Sequence, residues 1–268
     1  MEIIQAILLG VLEGFTEFLP ISSTGHLIVA SEFLGYKDDA KIFTVVVQLG
    51  AIAAVIWHYR EDLIRRTLGL FRGNKKDVHF WKIWILATIP GALAGFLLKD
   101  KVSVYAVATT VATALILGGI VIYLVETYHK AARNRGGEAS LDNISSEQAL
   151  KIGLFQMLAL VPGVSRSGST IIGGLLVGVD RVSAAAFSFY LSIPILLLAG
   201  VYQILKGGES IDTVDGGWLA IITGAIAAFV TGLFVIKWLL AYVSKHDFKI
   251  FAYYRIILGF IILLALYI

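Results

Sequence analysis

No cysteine occurs among the 268 residues, so disulfides, thiolate catalysis and cysteine-ligated metals are excluded. Charge is scarce as well. Asp, Glu, Lys and Arg together make 15% of the chain, against about 25% in an ordinary soluble protein. The opening MEIIQ has no Lys or Arg ahead of its apolar stretch, which argues against a cleaved signal peptide. What fills the chain is apolar: 58% of residues, with a mean hydropathy of +0.84. Runs at 43–57, 83–98, 105–125, 186–205, 217–236 and 252–268 approach or reach the roughly 20 residues a helix needs to cross hydrocarbon. They are too long and too uniformly apolar for barrel strands, so an all-α polytopic membrane protein of about six transmembrane helices is expected.

The chain also repeats itself. Laying residues 5–35 over residues 148–178 pairs Gln5, Ala6, Gly10, Ser22, Gly25, Ile28 and Gly35 with Gln148, Ala149, Gly153, Ser165, Gly168, Ile171 and Gly178. Matches at Gln, Ser and Gly are hard to ascribe to shared hydrophobicity. Weaker echoes join PGALAGF (90–96) to TGAIAAF (223–229) and ILGGI (116–120) to ILGFI (257–261), where apolar coincidence is a serious rival. Charge orients the copies. The stretch 58–82, expected to be a loop, carries Arg60, Arg65, Arg66, Arg72, Lys75, Lys76 and Lys82, whereas its counterpart near 206–217 sets Lys206 against Glu209, Asp212 and Asp215. The first reads as cytoplasmic and the second as external. Lys130, Arg133 and Arg135, with Lys237, Lys245 and Lys249, also read as inside, so the copies are inverted. One membrane domain (1–268) thus divides into a first repeat at 1–127, a cytoplasmic linker at 128–145 and a second repeat at 146–268. Within the repeats, 1–30 and 146–178 are broken by Pro, Gly and Ser, and are expected to be re-entrant helix–break–helix elements. Inverted repeats with broken helices put their binding site where the breaks meet. Both chain ends are expected outside.

The two breaks carry most of the intramembrane chemistry. In EGFTEFLPISSTGH, Glu13 and Glu17 share a helix face, and an intramembrane carboxylate costs about 2.5–3.5 kcal/mol on insertion scales. A raised pKa, a divalent cation or a cationic partner must offset the pair; buried packing alone could use Gln, as Gln156 does in the second copy. Ser22 and Ser23 follow Pro20 at the start of a second half-helix, whose free N–H groups suit an anion. His26 lies one turn on, within reach of either hydroxyl, and Ser–His–carboxylate is a general way to activate a nucleophile. In LVPGVSRSGST (160–170), Arg166 stands among Ser165, Ser167, Ser169 and Thr170 at another helix start. Its planar fork suits phosphate oxygens; the plainer reading is an ion pair with Glu13 or Glu17. Together the breaks have the inventory for holding or cleaving a phosphate ester or diphosphate whose other end is lipid.

EGFTEFLPISSTGH and PGVSRSGST resemble the two signature regions of the undecaprenyl-diphosphatase family, bacterial membrane enzymes associated with bacitracin resistance. The likeness spans essentially the whole chain, including FTVVVQLGAIAAV around Gln48. It implies hydrolysis of undecaprenyl diphosphate to the monophosphate, recycling the lipid carrier for peptidoglycan synthesis in the bacterial plasma membrane. It also implies Mg²⁺ or Ca²⁺ dependence and a site open to the external face. Polyprenyl diphosphate and the membrane are the expected partners, with no nucleic acid; a homodimer is ordinary for such a family. Carried over, the functional positions are Glu13, Glu17, Ser22, Ser23, His26, Ser165, Arg166, Ser167 and Thr170. The resemblance gives Glu13 and Glu17 to the metal, Ser23, His26, Glu17, Glu13 and Arg166 to the chemistry, and Ser22, Ser165, Arg166, Ser167 and Thr170 to phosphate. Ser23 or an activated water attacks phosphorus. Acid-phosphatase-type lipid phosphatases need a later histidine followed by an aspartate; after Arg166 only His246 remains, so that family does not fit. Two other readings stand beside the enzyme: a lipid-phosphate carrier, which the inverted repeat would suit, and a non-catalytic lipid-binding scaffold.

Overall fold

The computed structural model describes residues 2–36, 38, 42–103, 107–128, 140–207 and 214–266. They form eleven α-helices: α1 (Glu2–Thr16), α2 (Ser23–Leu34), α3 (Ile42–His58), α4 (Arg60–Phe71), α5 (Lys75–Ser103), α6 (Ala108–Tyr128), α7 (Ser146–Gln156), α8 (Arg166–Leu176), α9 (Arg181–Gly207), α10 (Gly217–Val243) and α11 (Lys249–Ala265). Among the described residues the only extended pairing is a single bridge between Asp38 and Val214. Four helices are long and apolar enough by themselves to cross a membrane, at Lys75–Leu98, Ala108–Tyr128, Arg181–Gln203 and Gly217–Val243. Helices α3 and α11, at 17 residues each, sit at the lower limit of about 17 residues for a span. Large apolar side chains such as Phe96, Phe234, Phe260 and Leu264 point outward, as a lipid-facing surface requires.

The basic segment 58–82 is helical rather than a loop. The chain bends by 69° between α3 and α4, and α5 begins at Lys75, ahead of the apolar run. Arg66 anchors this face: it donates to Asp62 (2.7 Å) and Asp142 (2.8 Å) and lies over the Phe80 ring. Burial pushes the Asp62 carboxyl up, but hydrogen bonds from Tyr190, Arg66 and Arg65 outweigh it and hold the group below its usual range. On the same side, Arg181 makes a bidentate pair with the buried Glu126. Lys130, Arg133, Arg135, Glu209 and Asp212, used above to orient the chain, lie outside the described residues, and the side chain of Lys206 is likewise not described.

Both broken elements are hairpins. α1 packs on α2, and α7 on α8, with a 3₁₀ turn at Met157–Leu160 prolonging α7. Pro20 and Pro162 explain the breaks, because a residue before proline is driven out of the helical region. Each hairpin is closed at its open end by the same side chain. Gln5 Nε2 donates to the Leu34 carbonyl (2.8 Å), and Gln148 Nε2 to the Val177 carbonyl (2.9 Å). The hairpins then pack across the molecule, α1 on α10 and α7 on α5, while α3 meets α9 and α6 meets α11. These crossings are close. A Cβ on Gly10 would strike the Gly224 carbonyl, and one on Gly153 the Ala87 backbone. Gly119 and Gly259 bring α6 and α11 together in the same way, so the weaker echo at 116–120 and 257–261 falls on facing surfaces.

Candidate active site

Each break ends in a serine that caps the next helix. Ser22 (φ 72°) and Ser165 (φ 75°) are the only non-glycine residues with positive φ among those described. Their hydroxyls accept from the Gly25 and Gly168 N–H groups, at 3.4 and 3.0 Å. A left-handed serine costs on the order of 1–3 kcal/mol and persists only where its surroundings fix it. Here it swings the chain abruptly from break to helix. The first residues of α2 and α8 consequently border the same cavity, of about 760 Å³, into which both helices direct the positive ends of their dipoles.

At the floor of that cavity one carboxylate takes two partners. Ser23 Oγ donates to Glu17 Oε2 at 2.5 Å, and Arg166 Nη2 donates to Glu17 Oε1 at 2.8 Å. Arg166 Nη1 is held by the Ser188 carbonyl at 3.0 Å, while Nε is buried without a partner. Residues that stand at equivalent positions in the two copies, Ser23 and Arg166, thus meet on Glu17. The ion pair considered in the sequence does form, and it leaves one guanidinium donor to spare. Gln48, Thr24 and Gln156 complete the polar lining; Phe96, Ile195, Leu196, Leu198 and Tyr202 supply an apolar wall.

Other expected residues take different parts. His26 does not bond the Ser23 hydroxyl. Its Nδ1 lies 2.8 Å from the Ser22 carbonyl and its Nε2 2.6 Å from the Tyr254 hydroxyl. Ser22 and Ser165 line the cavity, and their hydroxyls accept the capping bonds with their own protons left to donate; Ser165 Oγ also lies 3.1 Å from Ser167 Oγ. Ser167 Oγ donates to the Leu19 carbonyl (2.7 Å) and Thr170 Oγ1 to Ser188 Oγ (2.7 Å), and neither lines the cavity. Ser167 and Thr170, read above as phosphate ligands, thus join α8 to the first break and to α9, while Ser165 stays at the cavity. Arg166 itself stays at the cavity.

Glu13 is wholly buried, and neither carboxylate oxygen has a hydrogen-bond partner. An orphaned carboxylate one helical turn from Glu17 has the chemistry for a divalent cation, although Glu17 borders the cavity and Glu13 lies behind its lining. Among the described residues no cluster of three His, Asp or Glu gathers, and the carboxylates at hand are the two of Glu13 and Glu17. That number suits Mg²⁺, which is often held by one or two carboxylates with water and substrate phosphate completing the shell.

Arg255 drew no notice in the sequence. It is 1% exposed and donates to five carbonyls: Pro20 (2.9 Å), Gly163 (3.0 Å), Val164 (3.1 Å), Ala114 (3.0 Å) and Leu115 (3.3 Å). Backbone carbonyls freed by a broken helix need donors, and one guanidinium serves both breaks. The available signal was an arginine within the apolar run 252–268, since an intramembrane ionisable residue is functional until shown otherwise.

The likeness to known proteins spans nearly the whole chain. The family described as "Bacitracin resistance protein BacA" matches residues 6–261. An undecaprenyl-diphosphatase of Nitrosomonas europaea is 45% identical over 269 residues, covering 99% of this chain and 95% of that protein. Undecaprenyl-diphosphatase 1 of Burkholderia lata (45%; 99% and 96% covered) and the undecaprenyl-diphosphatase of a Psychrobacter species (45%; 99% and 96%) are similar to the same extent.

Proposed function

The chain belongs to the bacitracin resistance protein BacA family, and we propose on that basis that it hydrolyses undecaprenyl diphosphate to undecaprenyl phosphate and inorganic phosphate. The observation that carries the reading to particular residues is the Ser23–Glu17–Arg166 contact at the cavity floor. Ser23 Oγ attacks the terminal phosphorus, and its proton passes to Glu17 Oε2 along the existing hydrogen bond. The bond from that phosphorus to the bridging oxygen breaks, and undecaprenyl phosphate leaves. Water then attacks the seryl phosphate while Glu17 manages its proton, releasing inorganic phosphate and restoring the hydroxyl. Arg166 and the two helix N-termini at the cavity hold the phosphate oxygens. Glu13 and Glu17 would hold Mg²⁺ or Ca²⁺, which when bound neutralises phosphate charge and polarises the anhydride.

The apolar wall of the cavity gives the lipid a surface beside the phosphate pocket. Its members Phe96, Leu198 and Tyr202 lie towards the C-terminal ends of α5 and α9, while both helices start beside the basic face at Arg66 and Arg181. With that face inside, the cavity opens towards the external leaflet of a bacterial plasma membrane. The crossed hairpins favour a second reading, a carrier of lipid phosphate.

Phosphate release separates them. Purified protein in detergent, given undecaprenyl diphosphate and Mg²⁺, releases phosphate; EDTA stops the release, and Glu17→Gln or Arg166→Ala greatly reduces it. Detergent removes sidedness, so transport cannot imitate this result. Absence of any Arg166-dependent release would leave the carrier standing.

A further inference from the structure

His26 has a counterpart in the second copy, and the counterpart reveals what it does. In the first break the Ser22 carbonyl accepts from the His26 backbone N–H (3.3 Å) and from Nδ1 (2.8 Å). In the second break the Ser165 carbonyl accepts from the Ser169 backbone N–H (2.9 Å) and from Ser169 Oγ (2.9 Å). Histidine and serine stand at matched positions and donate to the same atom of the same left-handed serine. No general base is needed in the second break, yet the bond is made there too.

The tautomer follows from the partners. A carbonyl only accepts, so Nδ1 carries the proton. Nε2 of the neutral ring is then an acceptor, and the Tyr254 hydroxyl 2.6 Å away is its donor. Both ring nitrogens are thus spent. The Ser23 hydroxyl meanwhile already points its proton at Glu17.

We propose that His26 is a positioning residue: through the Ser22 carbonyl it fixes the strained turn that aims Ser23, and Tyr254 on α11 locks the ring in the tautomer this requires. The proposal rests on Ser23 being the nucleophile. Register supports the division of labour. Extending the match of 116–120 with 257–261 puts Thr113 where Tyr254 stands. Beside the second break, Ser169 and Thr113 of α6 border an apolar cavity of about 550 Å³, whereas beside the first the parallel His26 and Tyr254 rings stand at the corresponding place. The aromatic pair therefore packs and orients α2 against α11, a task the second copy leaves undone because its helix carries no nucleophile.

The test borrows the second copy's own solution. His26→Ser and His26→Ala leave the same space and differ by one donor. Phosphate release from undecaprenyl diphosphate is measured for each. The serine variant is expected to keep kcat within about tenfold of wild type, and the alanine variant to lose roughly a hundredfold, as a misaimed nucleophile does. Equal loss in both, as a missing base would give, overturns the proposal. Should either variant fail to fold, Tyr254→Phe decides, because it keeps the imidazole and frees only its Nε2. The proposal expects kcat to fall about fivefold with KM unchanged, the worth of one hydrogen bond. An unchanged kcat means that Tyr254 locks nothing the reaction needs, a raised one that the freed lone pair serves it, and either makes the proposal wrong. Wild-type protein that releases no phosphate would instead sink the enzymatic reading itself.

Discussion

The first and second breaks have nearly the same backbone and almost opposite chemistry. Each has a proline, a left-handed capping serine and a glycine whose N–H donates to that serine's hydroxyl. Each is closed by a glutamine at the open end of its hairpin. On this common frame the first break places Glu13, Glu17, Ser23 and His26, where the second has Gln156, Leu160, Arg166 and Ser169. The lesson is that a repeated frame makes a site by divergence. Two helix N-termini converge by symmetry, and substitution then turns one into the acid–base half and the other into the anion-holding half. The Glu17–Arg166 pair joins the two copies, because the first has Ser23 where the second has Arg166 and the second has Leu160 where the first has Glu17.

The sharpest way to break that comparison is to remove the chemistry from one half. Ser23→Ala and Glu17→Gln are expected to lower phosphate release by roughly 10³-fold or more, the scale of a lost nucleophile or base. Arg166→Lys, which keeps the charge but loses the planar fork, is expected to cost about 10²-fold. A Ser23→Ala protein that retained most of its turnover would make water, activated by Glu17, the attacking group. The division between halves would survive, with its first half supplying a base and no nucleophile.

Arg255 tests whether the frame is one object or two. Its guanidinium touches carbonyls of both breaks and of α6, and Nη1 alone bridges Pro20 to Val164. Arg255→Met leaves those carbonyls without donors in a buried place, and a bond from a charged donor is worth about 1.5–3 kcal/mol. The thermal midpoint in detergent is expected to drop by the equivalent of about 3 kcal/mol or more, with Arg255→Lys recovering part of it. If the methionine variant melts like wild type, the breaks hold each other without it, through Ser167 and the Glu17–Arg166 pair.

Much of this was legible in the chain. Long apolar runs marked the helices, and the shared Gln, Ser and Gly marked the repeat, because each of these has a backbone job that few other residues can do. Glu17, Ser23 and Arg166 announced themselves as expensive groups in an apolar setting. What escaped was partnership. Nothing in the spacing of Ser22, Ser23 and His26 says that the imidazole turns to a carbonyl and to Tyr254, some 228 residues away. Ser167 and Thr170 looked like anion ligands since hydroxyls at helix starts often are. Only their neighbours across the fold show them tying α8 to Leu19 and Ser188. The basic stretch 58–82 read as a loop for a similar reason: α4 owes its fixed geometry to Asp142 and Tyr190, both distant in sequence.

The smallest effect is the most informative about the frame itself. Gln5 and Gln148 make the same bond at 2.8 and 2.9 Å, one in each half, far along the hairpins from Ser23. If the repeat is a structural frame on which chemistry was laid, Gln5→Ala and Gln148→Ala should be near equals. Each is expected to cost about 1 kcal/mol in unfolding, the value of one neutral hydrogen bond, and to leave KM where it was. A difference much beyond that between the two would show that the halves differ in stability as well as in chemistry. In that case the hairpin bearing the carboxylates should be the more sensitive one, because Glu13 is buried with its oxygens unpaired and the hairpin already carries that burden.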